Sequence, residues 1–354
     1  MVLMSRPQIV VPEHAVTADA LCDALGARFA GQPGLEQALR AVRRTGIDTR
    51  YWYRPLTEAL DQGRSTDWPR DRWAASVELA CRAARAALAA TGVPAADVDC
   101  LIAVSATGYA LPGLASELIP ALGLRNDIRV LQTTQGGCVG GMWGLIRAGE
   151  QTRLYPGQRT LLVTVDVWSH CQEHDDASLG AVIERALFAD AAGACLLTSD
   201  PTAWAGPSIG IDLWTERTLP ELAHLITVWY ELDGPRIRMS AGIPQAVAEH
   251  VNPLVVNWLK ATEPLGATWL PEWTATHTGG PKVLDALQAG LDDRADLLAA
   301  SRTSLRTLGN VAGTSVLHAA AQHWAAPPRP GAPGLLLGMG PGFTVNAARA
   351  TWVE

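Results

Sequence analysis

The sequence predicts an α/β fold assembled from two internally duplicated, layered halves. Three observations carry that expectation. Short apolar runs of strand type alternate with longer helix-like stretches, and the scheme is repeated in the second half. The 354 residues exceed the ~250–300 at which a single hydrophobic core stops growing. Cys138 in the first half, and His277 and Asn310 in the second, each stand beside glycines at a strand or helix end. We place the division near residue 205, giving halves 1–205 and 206–354.

In chain order, Gly34–Arg44 and Asp71–Ala90 read as helices, the second closed by Thr91-Gly92-Val93-Pro94. Cys100–Ser105 and Ile128–Leu131 are short apolar runs of strand type. Met142–Ala148 is helix-like, Thr160–Asp166 is a further strand, and Ala192–Thr198 is its expected partner. In the second half Ile209–Trp214, Thr227–Leu232 and Arg236–Met239 read as strands and Pro244–Lys260 as helix. Trp273–His277, Lys282–Leu291, Thr314–Trp324 and Gly334–Gly338 complete the series. The Pro-rich segment Ala325–Pro333 reads as a stiff surface connector.

Composition narrows the function. With 48% hydrophobic and 18% charged residues the chain has the balance of a well-buried globular enzyme. A net charge of −7 without a basic tail argues against nucleic acid. No apolar run is long enough to span a bilayer, and Met1–Pro7 lacks a signal-peptide core. Cys22, Cys81, Cys100, Cys138, Cys171 and Cys195 show no metal-ligand spacing, which points to a reducing cytoplasm and no metal. We have no account of the 13 Trp against 3 Phe.

Cys138 lies in Gln135-Gly136-Gly137-Cys138-Val139-Gly140-Gly141, between a strand and a helix. A helix N-terminus favours thiolate, and flanking glycines admit a substrate carbonyl and offer N–H donors to an oxyanion. The segment alone serves a small buried structural cysteine equally well. His277 precedes Thr278-Gly279-Gly280-Pro281 and Asn310 sits in Leu308-Gly309-Asn310-Val311. An imidazole beside sulfur and a neutral carboxamide donor are what nucleophilic cysteine chemistry requires. Taken singly, the histidine also fits a solvated turn and the asparagine a helix cap.

The Cys, His and Asn segments resemble those of the type III polyketide synthases, the chalcone-synthase-like branch of the thiolase superfamily. Ala186-Leu187-Phe188-Ala189-Asp190-Ala191 and Gly338-Met339-Gly340-Pro341-Gly342 extend the likeness, in family order from about Glu13 onward. The resemblance implies a thiolase-like five-layered αβαβα fold. It also implies decarboxylative condensation of malonyl-CoA onto an acyl starter held on Cys138, then cyclisation to an aromatic or pyrone product. Coenzyme A thioesters are then substrates and no cofactor is expected. Cys138 becomes the nucleophile, His277 its partner and Asn310 a second donor at the enolate oxygen.

Further assignments follow from the same likeness. Phe188 corresponds to a gatekeeper between the CoA tunnel and the cavity. Ala106, Thr107, Trp168, Cys171 and Ala312 correspond to cavity wall. An indole at 168, if it points inward, removes space that a long intermediate needs; if it points outward, that inference collapses. Leu111 corresponds to a loop residue that crosses a dimer axis, so a homodimer is implied. Arg43, Arg44 and Arg50, crowded with Arg40 and Arg54, together with Gly279, are candidates for coenzyme A binding, although such clusters are commonly solvated faces. Two rivals remain at this point. A ketoacyl-carrier-protein synthase of the initiating type would show His-Gln-Ala-Asn where this chain has His277-Thr278-Gly279-Gly280. A silent scaffold subunit would have no need of all three polar residues.

Overall fold

The computed structural model describes residues 1–61, 68–171, 176–231, 234–262, 270–291 and 297–354. Its centre is a sheet of ten strands among the described residues. From one edge the order runs Trp273–Thr276, Pro333–Gly340, Thr344–Val353, Ser208–Thr218, Val2–Met4, Ala191–Thr198, Thr160–Asp166, Cys100–Val104 and Arg129–Thr133. The tenth, Gln8–Val10, pairs with Ala191–Thr198. The duplication is visible in the pairing. Cys100–Val104 runs parallel to Thr160–Asp166, which is antiparallel to Ala191–Thr198. Trp273–Thr276, Pro333–Gly340 and Thr344–Val353 repeat that parallel–antiparallel sequence.

Side-chain alternation along these strands builds the layers, because successive residues point to opposite faces. Ile102 and Leu162 face inward, toward a cluster with Met142, Val316 and Leu336. Leu101, Leu161 and Val163 face outward, under the helices Trp68–Thr91 and Leu114–Leu122. In the second half Leu335 and Leu337 face outward, against the helices Asn252–Ala261 and Pro281–Leu291. Strands buried on both faces read as continuous apolar runs, which is why they were visible in the sequence. The middle layer is the helix pair Gly140–Leu154 and Thr314–Gln322, which touches strands of both halves. Five layers, αβαβα, result.

The two middle helices cross at glycine. A Cβ placed on Gly141 would lie 2.0 Å from the Gly313 carbonyl oxygen and 2.8 Å from Val316 Cγ1. Backbone meets backbone there, which only a residue without a side chain permits.

Several expected elements differ in detail. The expected helix Pro244–Lys260 is interrupted: Ile243–Ala246 is α-helical, Val247–Val251 is a π-turn, and α-helix resumes at Asn252–Ala261. Pro253 has no N–H to donate, so the ladder beneath it changes register. The expected strand Thr227–Leu232 is observed as Ile226–Glu231, and Leu232 lies outside the described residues. Val2–Met4, the helices Ala18–Arg28 and Leu114–Leu122, and Thr344–Val353 were not anticipated. Among the described residues no helix is long and apolar enough to cross a membrane, and no group of three or more His, Cys, Asp or Glu could hold a metal ion.

Candidate active site

Cys138 occupies a 3₁₀ turn, Gly137–Val139, that feeds directly into the middle helix Gly140–Leu154. Gly137 has φ +50°, and a Cβ there would strike Pro341 Cδ at 2.7 Å. A Cβ on Gly340 would lie 2.8 Å from the Val139 nitrogen and 3.3 Å from the Cys138 nitrogen. The loop Gly338–Gly342 is therefore laid across the backbone of the cysteine turn, which is the physical reason for a glycine at 340.

His277 follows the strand Trp273–Thr276 and extends its parallel pairing by donating its N–H to the Leu337 carbonyl at 2.9 Å. Asn310 is held beside Phe188: its N–H donates to the Leu187 carbonyl at 2.8 Å, and its carbonyl accepts from Ala189 N at 3.0 Å. The Thr278 hydroxyl donates to the Gly309 carbonyl at 3.1 Å and is hydrogen-bonded to the Ser315 hydroxyl at 2.9 Å, tying the histidine loop to the asparagine turn. Ala312, at φ +45°, donates its N–H to Asn310 Oδ1 at 2.9 Å. With its oxygen engaged, the carboxamide has its nitrogen left to donate, and the side chain hydrogen-bonds the Cys138 sulfur.

One cavity of about 250 Å³ is lined at once by Cys138, His277 and Asn310. Burial dominates the electrostatics. It pushes the Cys138 thiol up to about 12, helped by the Asp166 carboxylate and opposed by the Asn310 donor and the cysteine's own amide. It pushes the His277 imidazole down to about 4, with the Ala312 backbone opposing. Each group alone is thus driven to its neutral form, contrary to the thiolate expected from the helix N-terminus. His277 Nδ1 is buried and has no hydrogen-bond partner among the described residues.

Phe188 and Trp168 line the same cavity, their rings stacked with centroids 4.7 Å apart. The indole therefore points inward. Ala106 also lines the cavity. Thr107 does not: its hydroxyl accepts from Val167 N at 2.8 Å and its own N–H donates to Asp166 at 3.1 Å, so it faces away, into the wall. Cys171 lies behind the Trp168–Phe188 pair, with Arg72 Nη1 donating to its sulfur at 3.1 Å. Ala312 is fully buried beside this cluster and contributes backbone to the site rather than cavity lining.

A second cavity, of about 610 Å³, adjoins the first through Met239, Ile243, Gly279 and Val283. Arg40, Arg44 and Lys282 line it together with Gly279. The arginine cluster expected there is split. Arg43 turns away to within 3.9 Å of Asp19, and Arg54 pairs with Asp71. Arg50 is wholly buried, with Nη2 donating to the Ile47 carbonyl at 3.4 Å; burial lowers its guanidinium to about 10. Neither Arg43 nor Arg50 lines the second cavity: Arg43 is drawn toward Asp19, and Arg50 points into the core from a strand whose successive side chains alternate between faces.

Sequence reasoning missed three contributors. The hairpin Ile226–Glu231 and Gly234–Met239 turns Ile226, Val228, Ile237 and Met239 into the cavity. Their i, i+2 spacing carried the signal. Met339 and Pro341 of the C-terminal glycine loop also reach it. Asp166, raised to about 7 by burial, accepts N–H bonds from Ala106, Thr107 and Gly313, joining the cavity wall to the asparagine turn. An acid closing an otherwise apolar strand was its only sequence signal.

A layered thiolase fold with a half-buried cysteine at the head of a middle helix and a cavity above it defines a condensing enzyme of that superfamily. Residues 69–201 match the family model for the N-terminal domain of chalcone and stilbene synthases, and residues 211–350 that for the C-terminal domain. The chain belongs to that family and is a type III polyketide synthase, a malonyl-CoA-dependent acyltransferase. It is 29% identical to phloroglucinol synthase of Pseudomonas fluorescens, over 99% of each chain. A 1,3,6,8-tetrahydroxynaphthalene synthase of Streptomyces peucetius is 32% identical over 91% of this chain and 85% of its own. Among solved structures, the 1,3,6,8-tetrahydroxynaphthalene synthase of Streptomyces coelicolor superimposes with a TM-score of 0.92 at 26% identity, over 99% of both chains. Germicidin synthase from the same species gives 0.90 at 28% identity, again over 99% of both.

Proposed function

We propose that Cys138 takes an acyl group from coenzyme A, and that malonyl-CoA then loses carbon dioxide in the same cavity. The enolate so formed attacks the Cys138 thioester, breaking the carbon–sulfur bond, freeing the thiolate and leaving the extended chain on coenzyme A. Its return to Cys138 with release of coenzyme A permits repetition, and cyclisation yields a small aromatic or pyrone product. What supports these roles above all is the shared cavity of Cys138, His277 and Asn310, drawn from three distant segments. His277 accepts the thiol proton, so that each group becomes charged only against the other. Asn310, its oxygen tied to Ala312, donates to sulfur and then to the enolate oxygen. No Asp or Glu lines the cavity among the described residues, which suits a reaction that builds negative charge on oxygen.

Coenzyme A fits the second cavity. Arg40, Arg44 and Lys282 offer cations for its phosphates, and the shared Gly279 leaves room for the pantetheine arm to reach sulfur. Phe188 and Trp168 then bound the reaction chamber. At about 250 Å³ it falls just below the ~300–1,000 Å³ of common ligand pockets, which favours few extensions. Leu111, 90% exposed in the single chain, reaches across a homodimer interface in this reading. All six cysteines are free, in keeping with a cytoplasmic setting. We place the two halves at 1–205 and 206–354.

The test is incubation with malonyl-CoA and a panel of acyl-CoA starters, following carbon dioxide release, intact-protein mass and products. An acyl adduct that disappears in Cys138→Ala is expected. Consumption of malonyl-CoA at an unchanged rate in Cys138→Ala would remove the sulfur from the mechanism.

A further inference from the structure

The chamber also constrains what Cys138 carries, on the reading just given. The hairpin supplies one wall, with Val228 opposite Ile237 and Ile226 opposite Met239 across the strand pair. The stacked Trp168–Phe188 pair supplies another. The same hairpin, with Trp168 and Phe188, packs directly around Cys138. Among the described residues no Lys, Arg, Asp or Glu lines this chamber, and its polar side-chain groups are those of Thr134, Gln135, Cys138, His277 and Asn310 and the indole N–H of Trp168, which has no partner among the described residues. Three of those six are committed to the reaction, leaving three to serve every other polar group of a bound intermediate.

Chemistry then separates starters. A hydroxyl buried without a partner loses its water bonds, a penalty of about 5–150-fold in an equilibrium constant. An unpaired carboxylate is penalised more heavily still. A methylene buried against the hairpin gains about fourfold. A long polyketide, with a carbonyl on alternate carbons, meets the same penalty repeatedly in these walls.

We propose that the starter is an unsubstituted aliphatic acyl group delivered as its coenzyme A thioester, and that the hairpin and the Trp168–Phe188 pair select it by length. Hydroxylated starters, and a malonyl group loaded on Cys138 with its carboxylate retained, are poorly held; the malonyl extender sheds that carboxylate as carbon dioxide. Trp168 sets the limit of length, because behind it lies only the small recess bounded by Cys171, Ala181, Glu184 and Arg185.

The test measures kcat/KM for acyl loading and for malonyl-CoA consumption with acetyl-, butanoyl-, hexanoyl-, octanoyl- and 6-hydroxyhexanoyl-CoA. The expected result is a rise of about fourfold per added methylene to an optimum, then a fall. The hydroxylated analogue should lie at least fivefold below hexanoyl. Trp168→Ala should move the optimum to a longer chain, with Trp168→Leu as a second variant in case the first fails to fold. A flat dependence on chain length, equal use of the hydroxylated starter, or malonyl-CoA alone matching the best acyl starter would each overturn the inference. In those cases an acyl adduct on Cys138 would leave the condensing mechanism standing. Absence of any adduct and of any decarboxylation would overturn both.

Discussion

Replacing His277 by alanine isolates what burial does to the sulfur. Without the imidazole, Cys138 has burial and the Asp166 charge acting on it, against one carboxamide donor and its own amide. Its thiol then titrates near the raised position, about 12, so that about one sulfur in 10⁵ is ionised at pH 7. A free cysteine, at about 8.5, has about 3% thiolate, roughly 3,000 times more. The more basic thiolate is intrinsically the better nucleophile by roughly 40-fold, on a Brønsted slope of about 0.45. The net expectation for His277→Ala is alkylation at pH 7 about 10²-fold slower than a free thiol. Because the thiol's position is raised, the thiolate form grows as pH rises toward it, so the rate should climb about tenfold per pH unit up to pH 10. On the proposed role of His277 as proton acceptor, the native protein should alkylate faster at pH 6–7 with a much shallower profile. Iodoacetamide labelling followed by intact-protein mass reads this directly, with Cys138→Ala as the blank, since the other five cysteines are buried. If His277→Ala and the native protein share one pH profile, the imidazole is not the sulfur's proton acceptor.

Two other outcomes follow from the geometry. Gly141→Ala should lower Tm by several degrees, although alanine normally favours a helix interior by about 0.5–1 kcal/mol. The added Cβ meets the Gly313 carbonyl at 2.0 Å, and overpacking of this kind costs about 1–3 kcal/mol; a Tm at or above that of the native protein in calorimetry would show that the helices can part freely. Combined Arg40→Ala and Arg44→Ala should raise KM for acyl-CoA several-fold with kcat nearly unchanged, whereas Arg43→Ala, whose partner is Asp19, should leave both alone. Equal effects of the two changes in steady-state kinetics would mean that the second cavity does not receive the phosphates.

How far the sequence could be read depended on whether a residue's surroundings were local. Thr160–Asp166 is buried on both faces and is found with its expected bounds, because a continuous apolar run needs no knowledge of its neighbours. Cys138, His277 and Asn310 were legible because each stands beside glycines at a strand or helix end. Arg50 was misread because burial is decided by what packs around it: on Thr49–Trp52 it points with Trp52 into a helix-covered core, while Tyr51 does not. Thr107 failed for a similar reason, since its hydroxyl is claimed by Val167, sixty residues away. The orientation of Trp168 could be decided only once Phe188 was seen stacked on it. The hairpin went unnoticed as a chamber wall because alternating apolar residues look the same whether they cover a core or a substrate.

The glycine crossing of the two middle helices has a consequence for how such an enzyme can be diversified. The cysteine and the asparagine each sit a few residues upstream of that crossing, where main chain abuts main chain. Neither glycine has a side chain to trim, and an added Cβ at Gly141 would strike the facing backbone, so the separation of these two groups cannot be adjusted by substitution there without loss of stability. New products must therefore arise from exchanges at the margins, where bulk can be added or removed without disturbing the fixed pair.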